Sequence, residues 1–177
     1  MLTKLGRWYN MSTLNVDTIQ DKGAAFEHAR LVQVVNALDG AVATGTTVMP
    51  ADDTIPQNTE GDQFMTCAIT PTHASNKLLI EVEWHGASTT ANEIWGALFQ
   101  DSDAGALACS GTQDGSNSQI QNLSFTHYMD AGTTSSTTFK LRVGAGASST
   151  ITHNGAAGSR KLGGKMQSSI TISEIRV

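Results

Sequence analysis

Asn76–Gly86 reads NKLLIEVEWHG. In an extended chain Leu78, Ile80, Val82 and Trp84 share one face, and Glu81, Glu83 and His85 share the other. This alternation predicts a strand with one dry face. Ser136–Gly144 repeats it, with Thr137, Phe139, Leu141 and Val143 on one side and Lys140 and Arg142 on the other. Ser168–Val177 (SSITISEIRV) is a third case. Its apolar positions change phase between Ile172 and Ile175, which predicts a bulge where the sheet bends.

Working outward, the pattern predicts strands at Leu31–Leu38, Thr44–Met49, Gln63–Thr70, Lys77–Gly86, Glu93–Gln100, Leu107–Ser110, Gln119–Asp130, Thr137–Gly144, Thr150–Thr152 and Ser168–Val177. Breaks fall at Asp39-Gly40, Pro71, Asp101–Gly105, Gly111–Gly115, Ala131–Ser135 and Ala145–Ser149. Ala24–Ala29 is expected to make a short helical turn. Strands at this spacing, without a short repeat, predict an all-β antiparallel jelly-roll sandwich over residues 24–177. Residues 1–23 are read as an extended N-terminal arm. Trp8, Tyr9, Val16 and Ile19 are too apolar for a solvated tail; with Leu14 they are the candidate attachment residues. Met11-Ser12 looks like an alternative natural start.

A chain of 177 residues buries roughly 70% of its unfolded surface, enough for a core without disulfides or metals. Aromatic residues make up only 6% and charged residues 15%. The abundance of Gly, Ser, Thr, Ala and Asn suits flat subunit contacts, so part of the burial is expected to come from neighbouring copies. The net charge is −5, with no basic face for phosphate neutralisation, which argues against nucleic-acid binding. No apolar run approaches the ~20 residues of a membrane span. The N-terminus lacks the apolar stretch of a secretory signal. Cys67 reads as a small buried hydrophobe; a Cys67–Cys109 disulfide stays open.

Residues with chemical potential are few. Glu81, Glu83 and His85 alternate on one strand, about 7 Å apart, too far for one strand to supply three ligands to an ion. His127 and His153 could join them from other strands. The favoured reading is a polar face without metal or cofactor. Asp101-Ser-Asp103-Ala-Gly105 reads as a tight turn rather than a calcium loop. No nucleophile elbow or phosphate-cradling loop is present, so no enzyme is expected. The aromatics Trp84, Trp95, Phe99, Phe125, Tyr128 and Phe139 read mainly as core.

The strand around Trp95 is apolar on both faces. Trp95, Ala97 and Phe99 lie opposite Ile94 and Leu98, which predicts burial between sheets on one side and against a subunit on the other. Trp95 and Phe99, with Ile170, Ile172 and Ile175 of the last strand, are the candidate subunit-interface residues. Loops Ala87–Asn92, Gly111–Ser118 and Ala145–Gly164 are the candidate ligand-binding loops.

The segment LNVDTIQ (Leu14–Gln20), after Met11-Ser12-Thr13 and before Asp21-Lys22-Gly23, resembles the opening of tailed-bacteriophage virion proteins. NKLLIEVEW (Asn76–Trp84), ALFQDSDAGALA (Ala97–Ala108) and SSITISEI (Ser168–Ile175) look like the jelly-roll domains of such proteins. The resemblance implies a homotrimer with a head related in shape to the tumour-necrosis-factor type. It implies an arm docked on capsid or tail proteins, and location in a virion made in the bacterial host cytoplasm. Residues 24–62 are too short for a fibre shaft. That favours a head fibre, capsid decoration protein or short tail spike. A receptor- or carbohydrate-binding tail-fibre head is the alternative, and a polysaccharide depolymerase the minor one.

Overall fold

The computed structural model describes residues 30–177 and two short strands before them, β1 (Gln20–Asp21) and β2 (Ala24–Ala25). Residues 1–19, which include Trp8, Tyr9, Leu14, Val16 and Ile19, lie outside the described residues. Strands β1 and β2 pair with each other, so Ala24 and Ala25 are strand rather than the start of a helical turn. Pairing satisfies backbone groups that an isolated helical turn leaves open.

The remaining strands are β3 (Arg30–Asp39), β4 (Ala43–Gly45), β5 (Asp62–Ile69), β6 (Lys77–Ser88), β7 (Asn92–Gln100), β8 (Ala108–Asp114) and β9 (Gln121–Asp130). They continue as β10 (Thr137–Ala145), β11 (Ile151–His153), β12 (Gly155–Ala156), β13 (Ser159–Arg160) and β14 (Ser168–Arg176). Eight of them form nested antiparallel pairs: β3 with β14, β5 with β10, β6 with β9, and β7 with β8. Two further pairings, β14 with β6 and β10 with β7, roll this long hairpin into two sheets. The sheets run β3-β14-β6-β9 and β5-β10-β7-β8. This connectivity is the antiparallel jelly roll. Past Glu83, β11 takes over from β14 beside β6 and carries β4.

The inward positions are those the alternation predicts. Leu78, Ile80, Val82 and Trp84 from β6 meet Phe139, Leu141 and Val143 from β10, with Met65, Cys67, Ile69, Ile94, Leu98, Ile170 and Ile172 around them. Each large side chain removed from water in this way contributes about 1.5–3 kcal/mol. Cys67 is buried and Cys109 exposed, and both are free thiols. Burial pushes the Cys67 thiol up, although a backbone hydrogen bond at Ala37 opposes this.

Two local differences from expectation have physical causes. Gly111, read as a break, lies inside β8 because the Trp95 ring crosses it; a Cβ there would stand 2.3 Å from the ring. Strand β4 ends at Gly45 rather than Met49 because the Asp62 carboxylate takes the next segment. It accepts from the Thr47 N–H at 2.8 Å and the Thr47 hydroxyl at 2.9 Å.

From there residues 46–61 form a strap over the outer face of the β5-β10-β7-β8 sheet. The Met49 N–H donates to the Ala145 carbonyl at 3.0 Å, and Arg142 holds the Glu60 and Gly61 carbonyls at 2.8 and 2.7 Å. The strap's far part is tied to the β7–β8 turn, where the Ala106 N–H donates to the Pro56 carbonyl and the Asn58 N–H to the Ala104 carbonyl. Met49 seals Ala97 and Phe99, and Trp95 packs against the same cluster. The second apolar face of β7, expected to await a subunit, is therefore covered by the chain itself.

Candidate functional site

The structure offers three places where function could reside: the two ends of the sandwich and one exposed sheet face. At the end where β3 begins and β14 finishes, the inward position after Ile172 is occupied by Glu174, which is fully buried. Its carboxylate accepts from the Thr72 N–H and hydroxyl, both at 2.8 Å, from Asn76 Nδ2 at 2.5 Å and from Gln33 Nε2 at 2.6 Å. Burial raises its pKa, but the hydrogen bonds from Asn76, Gln33 and Thr72 outweigh burial and bring it down to about 2. One carboxylate thus fastens β14, β3 and the β5–β6 loop. The bulge expected in β14 falls instead on its neighbour β3. Pairing of β14 with β3 slips between Glu174 and Ile175, leaving Val32 as the extra residue, while pairing with β6 runs unbroken. The phase change read in SSITISEIRV comes from this buried glutamate, with Ile175 on the opposite face.

At the opposite end His153 lies wholly buried, stacked on Phe64 at 5.0 Å between ring centroids and near Trp84. Phe64 reaches it from a bulge, where pairing of β10 with β5 skips from Met65 to Gln63. His153 Nε2 contacts the Asp39 carboxylate at 3.1 Å, while Nδ1 has no hydrogen-bond partner among the described residues. Next to it Asn154 donates to the Asp39 carbonyl at 2.8 Å, and its Oδ1 accepts from the Ser168 N–H and hydroxyl at 3.0 and 2.8 Å. These bonds close the turn at Asp39-Gly40 onto the start of β14. Burial pushes the His153 pKa below the ordinary 6.5, and Asp39 opposes it in part. A depressed imidazole pKa costs stability as pH falls below 6.5, because the unfolded chain takes up the proton first. The melting temperature should fall between pH 7 and pH 5, and His153→Phe should flatten that slope. An unchanged slope in the variant would show that the imidazole is not its source.

At this end the three loops named as ligand-binding candidates do meet. Ser149 Oγ lies 2.6 Å from Ser88 Oγ, 3.1 Å from Thr89 Oγ1 and 3.0 Å from Thr90 Oγ1. The Ala91 N–H donates to Asn117 Oδ1 at 3.0 Å. Their polar groups are largely spent on one another.

The third place is the outer face of the β3-β14-β6-β9 sheet. Register puts Leu38, Ser169, Glu83 and Ser124 in one row, Asn36, Thr171, Glu81 and Thr126 in the next, and Val34, Ser173, Leu79 and Tyr128 in a third. Leu31, Val34, Leu38 and Tyr128 are 60%, 50%, 58% and 54% exposed. Between them stand Ser169, Ser124, Thr171, Thr126 and Ser173, with the exposed carboxylates of Glu81 and Glu83 in the same rows. The outer edge of β3 is unpaired among the described residues. A long apolar edge of this kind is one that proteins normally cover.

The candidate interface residues separate. Ile170, Ile172 and Phe99 are buried within one chain, the first two between the sheets and Phe99 under the strap, so they are not available to a neighbour. Trp95 is half-buried beside the strap, and Ile175 lies on the open face, half-buried next to Lys77. The residues of β3 were missed because their exposed positions read as ordinary strand. Glu81, Glu83 and His85 do share the outer face, but His127 pairs opposite inward Ile80 and His153 is inside. Among the described residues no group of three or more His, Cys, Asp or Glu could hold a metal ion. The Asp101–Gly105 segment is a turn, with Asp101 Oδ1 accepting from the Thr138 N–H at 2.8 Å. No helix among the described residues is long and apolar enough to cross a membrane.

No family model matches the sequence, and no curated protein matches it. Among solved structures, one of infectious bursal disease virus, Gx strain, aligns over 91% of this chain and 42% of that chain, at 11% identity and TM-score 0.40. Dimeric latent PorU from Porphyromonas gingivalis aligns over 90% of this chain and 14% of that chain, at 9% identity and TM-score 0.37. The enzymatically active domain of tailspike protein 4 from bacteriophage CBA120 aligns over 70% and 19%, at 14% identity and TM-score 0.28. This chain therefore spans less than half the length of each of these solved chains. Superpositions this loose carry no argument about function.

Proposed function

We propose that the chain is a non-enzymatic structural protein of a virus particle, a homotrimeric capsid decoration protein, head fibre or short tail spike. The observation that supports it is the outer face of the β3-β14-β6-β9 sheet. Its exposed Leu31, Val34, Leu38 and Tyr128, set among hydroxylated residues with Glu81 and Glu83 between the rows, suit packing against further copies. Its partners in this reading are itself and the capsid or tail proteins of a tailed bacteriophage, reached through residues 1–23. That placement draws on the resemblance of Leu14–Gln20 to phage virion proteins. Deleting residues 1–20 should leave a folded multimer that no longer joins particles. Normal incorporation of the truncated chain would sink the arm's role.

The second reading, a receptor- or carbohydrate-binding tail-fibre head, draws on the meeting of loops 87–92, 111–118 and 145–164. Retained adsorption of the isolated protein to host cells would favour it over decoration alone. The depolymerase alternative has no identifiable acid/base pair, and turnover on host capsule extract is its test.

A further inference from the structure

The end of the sandwich that carries Glu174 also opens a cleft of about 540 Å³, within the ~300–1,000 Å³ usual for small-ligand sites. Arg30, Leu31, Thr72, His73, Ser75 and Arg176 are among the residues lining it. The register pairs Arg176 directly with Arg30 across β14 and β3. Like charges directly opposite each other destabilise a sheet unless a negative group compensates them. Glu174 makes its close contacts with Thr72, Asn76 and Gln33 and pairs with neither arginine. Among the described residues no carboxylate pairs with either arginine. In a chain of net charge −5, two arginines set opposite each other at the mouth of a cleft are out of keeping with the rest of the surface.

His73 adds a donor. Its Nδ1 accepts from the Ser75 N–H at 3.2 Å, which places the neutral ring's proton on Nε2. We propose that this cleft is an oxyanion site, in which the Arg30 and Arg176 guanidiniums bind a carboxylate, sulfate or phosphate group. The planar fork of arginine matches such oxygens in pairs. The His73 ring offers its Nε2–H to whatever carries the anion. The site is at the opposite end from the three meeting loops, so it stands apart from the receptor reading above.

Titration of the full chain with glucuronate, sulfate and glucose, followed by the backbone amide signals of residues 72–76, tests this. Glucuronate and sulfate should bind and glucose should not. Arg30→Ala and Arg176→Ala should each weaken binding about tenfold, with Arg176→Lys retaining part of it. Melting temperatures equal to or above that of the wild type would show that replacing either exposed arginine leaves the fold intact. Glucuronate binding more tightly than sulfate would assign an acidic saccharide; equal binding would assign a free oxyanion. Glucose binding as well as glucuronate, no anion binding, or arginine variants indistinguishable from the wild type would overturn the proposal.

Discussion

Replacing Glu174 with alanine is expected to lower the unfolding free energy by on the order of 3 kcal/mol, because the buried Asn76 amide, half-buried Gln33 and the Thr72 N–H and hydroxyl lose their acceptor together. Glu174→Gln should cost less. Its carbonyl oxygen can still serve Thr72 and Asn76, but its amide would face the Gln33 amide. The acid limb of the stability curve separates this account from simple loss of packing. The folded pKa of about 2 lies below the ordinary 4.5. The carboxylate's contribution is therefore fully present above pH 4.5 and is lost as pH falls toward 2. Melting curves of wild type and Glu174→Gln should converge over that window. Curves running parallel to pH 2 would contradict the assignment of the charge.

Gly86→Ala is expected to destabilise the domain by about 3 kcal/mol, at the upper end of overpacking costs. An alanine Cβ there would sit 2.3 Å from the Thr152 carbonyl oxygen and 2.4 Å from the Trp84 ring. The first contact is backbone and the second is the centre of the core, so neither can yield cheaply. Gly86 is where β6 exchanges β14 for β11 as its neighbour. Gly105→Ala, whose Cβ would meet only Ile55 at 3.4 Å, should stay within about 0.5 kcal/mol. Denaturant midpoints measure both, and equal midpoints would show that the ring and strand shift freely.

The strands were legible because one dry face imposes period two, and Lys77–Ser88 and Thr137–Ala145 keep it with few exceptions. Nesting of the pairs was readable only as a fold class, since alternation says which side is buried and not which strand is adjacent. The strap over Phe99 was invisible. Residues 46–61 make few regular pairings, and an apolar face looks the same whether a loop or a subunit covers it. The inward place of Glu174 was missed, and the gap between Ile172 and Ile175 taken for a bulge, because charge at an inward position breaks the apolar count and the neutral donors around it come from Gln33 and the 72–76 loop, distant in sequence. The cleft at Arg30 and Arg176 depends on a register that one strand alone does not specify.

The central claim is that the outer β3-β14-β6-β9 face joins copies of the chain. Sedimentation velocity of the full chain at micromolar concentration tests it most directly. The wild type should sediment as a trimer, and Val34→Glu combined with Leu38→Glu should yield a folded monomer with an unchanged melting temperature. A wild-type protein that sediments as a monomer, or a trimer indifferent to the two glutamates, would contradict it.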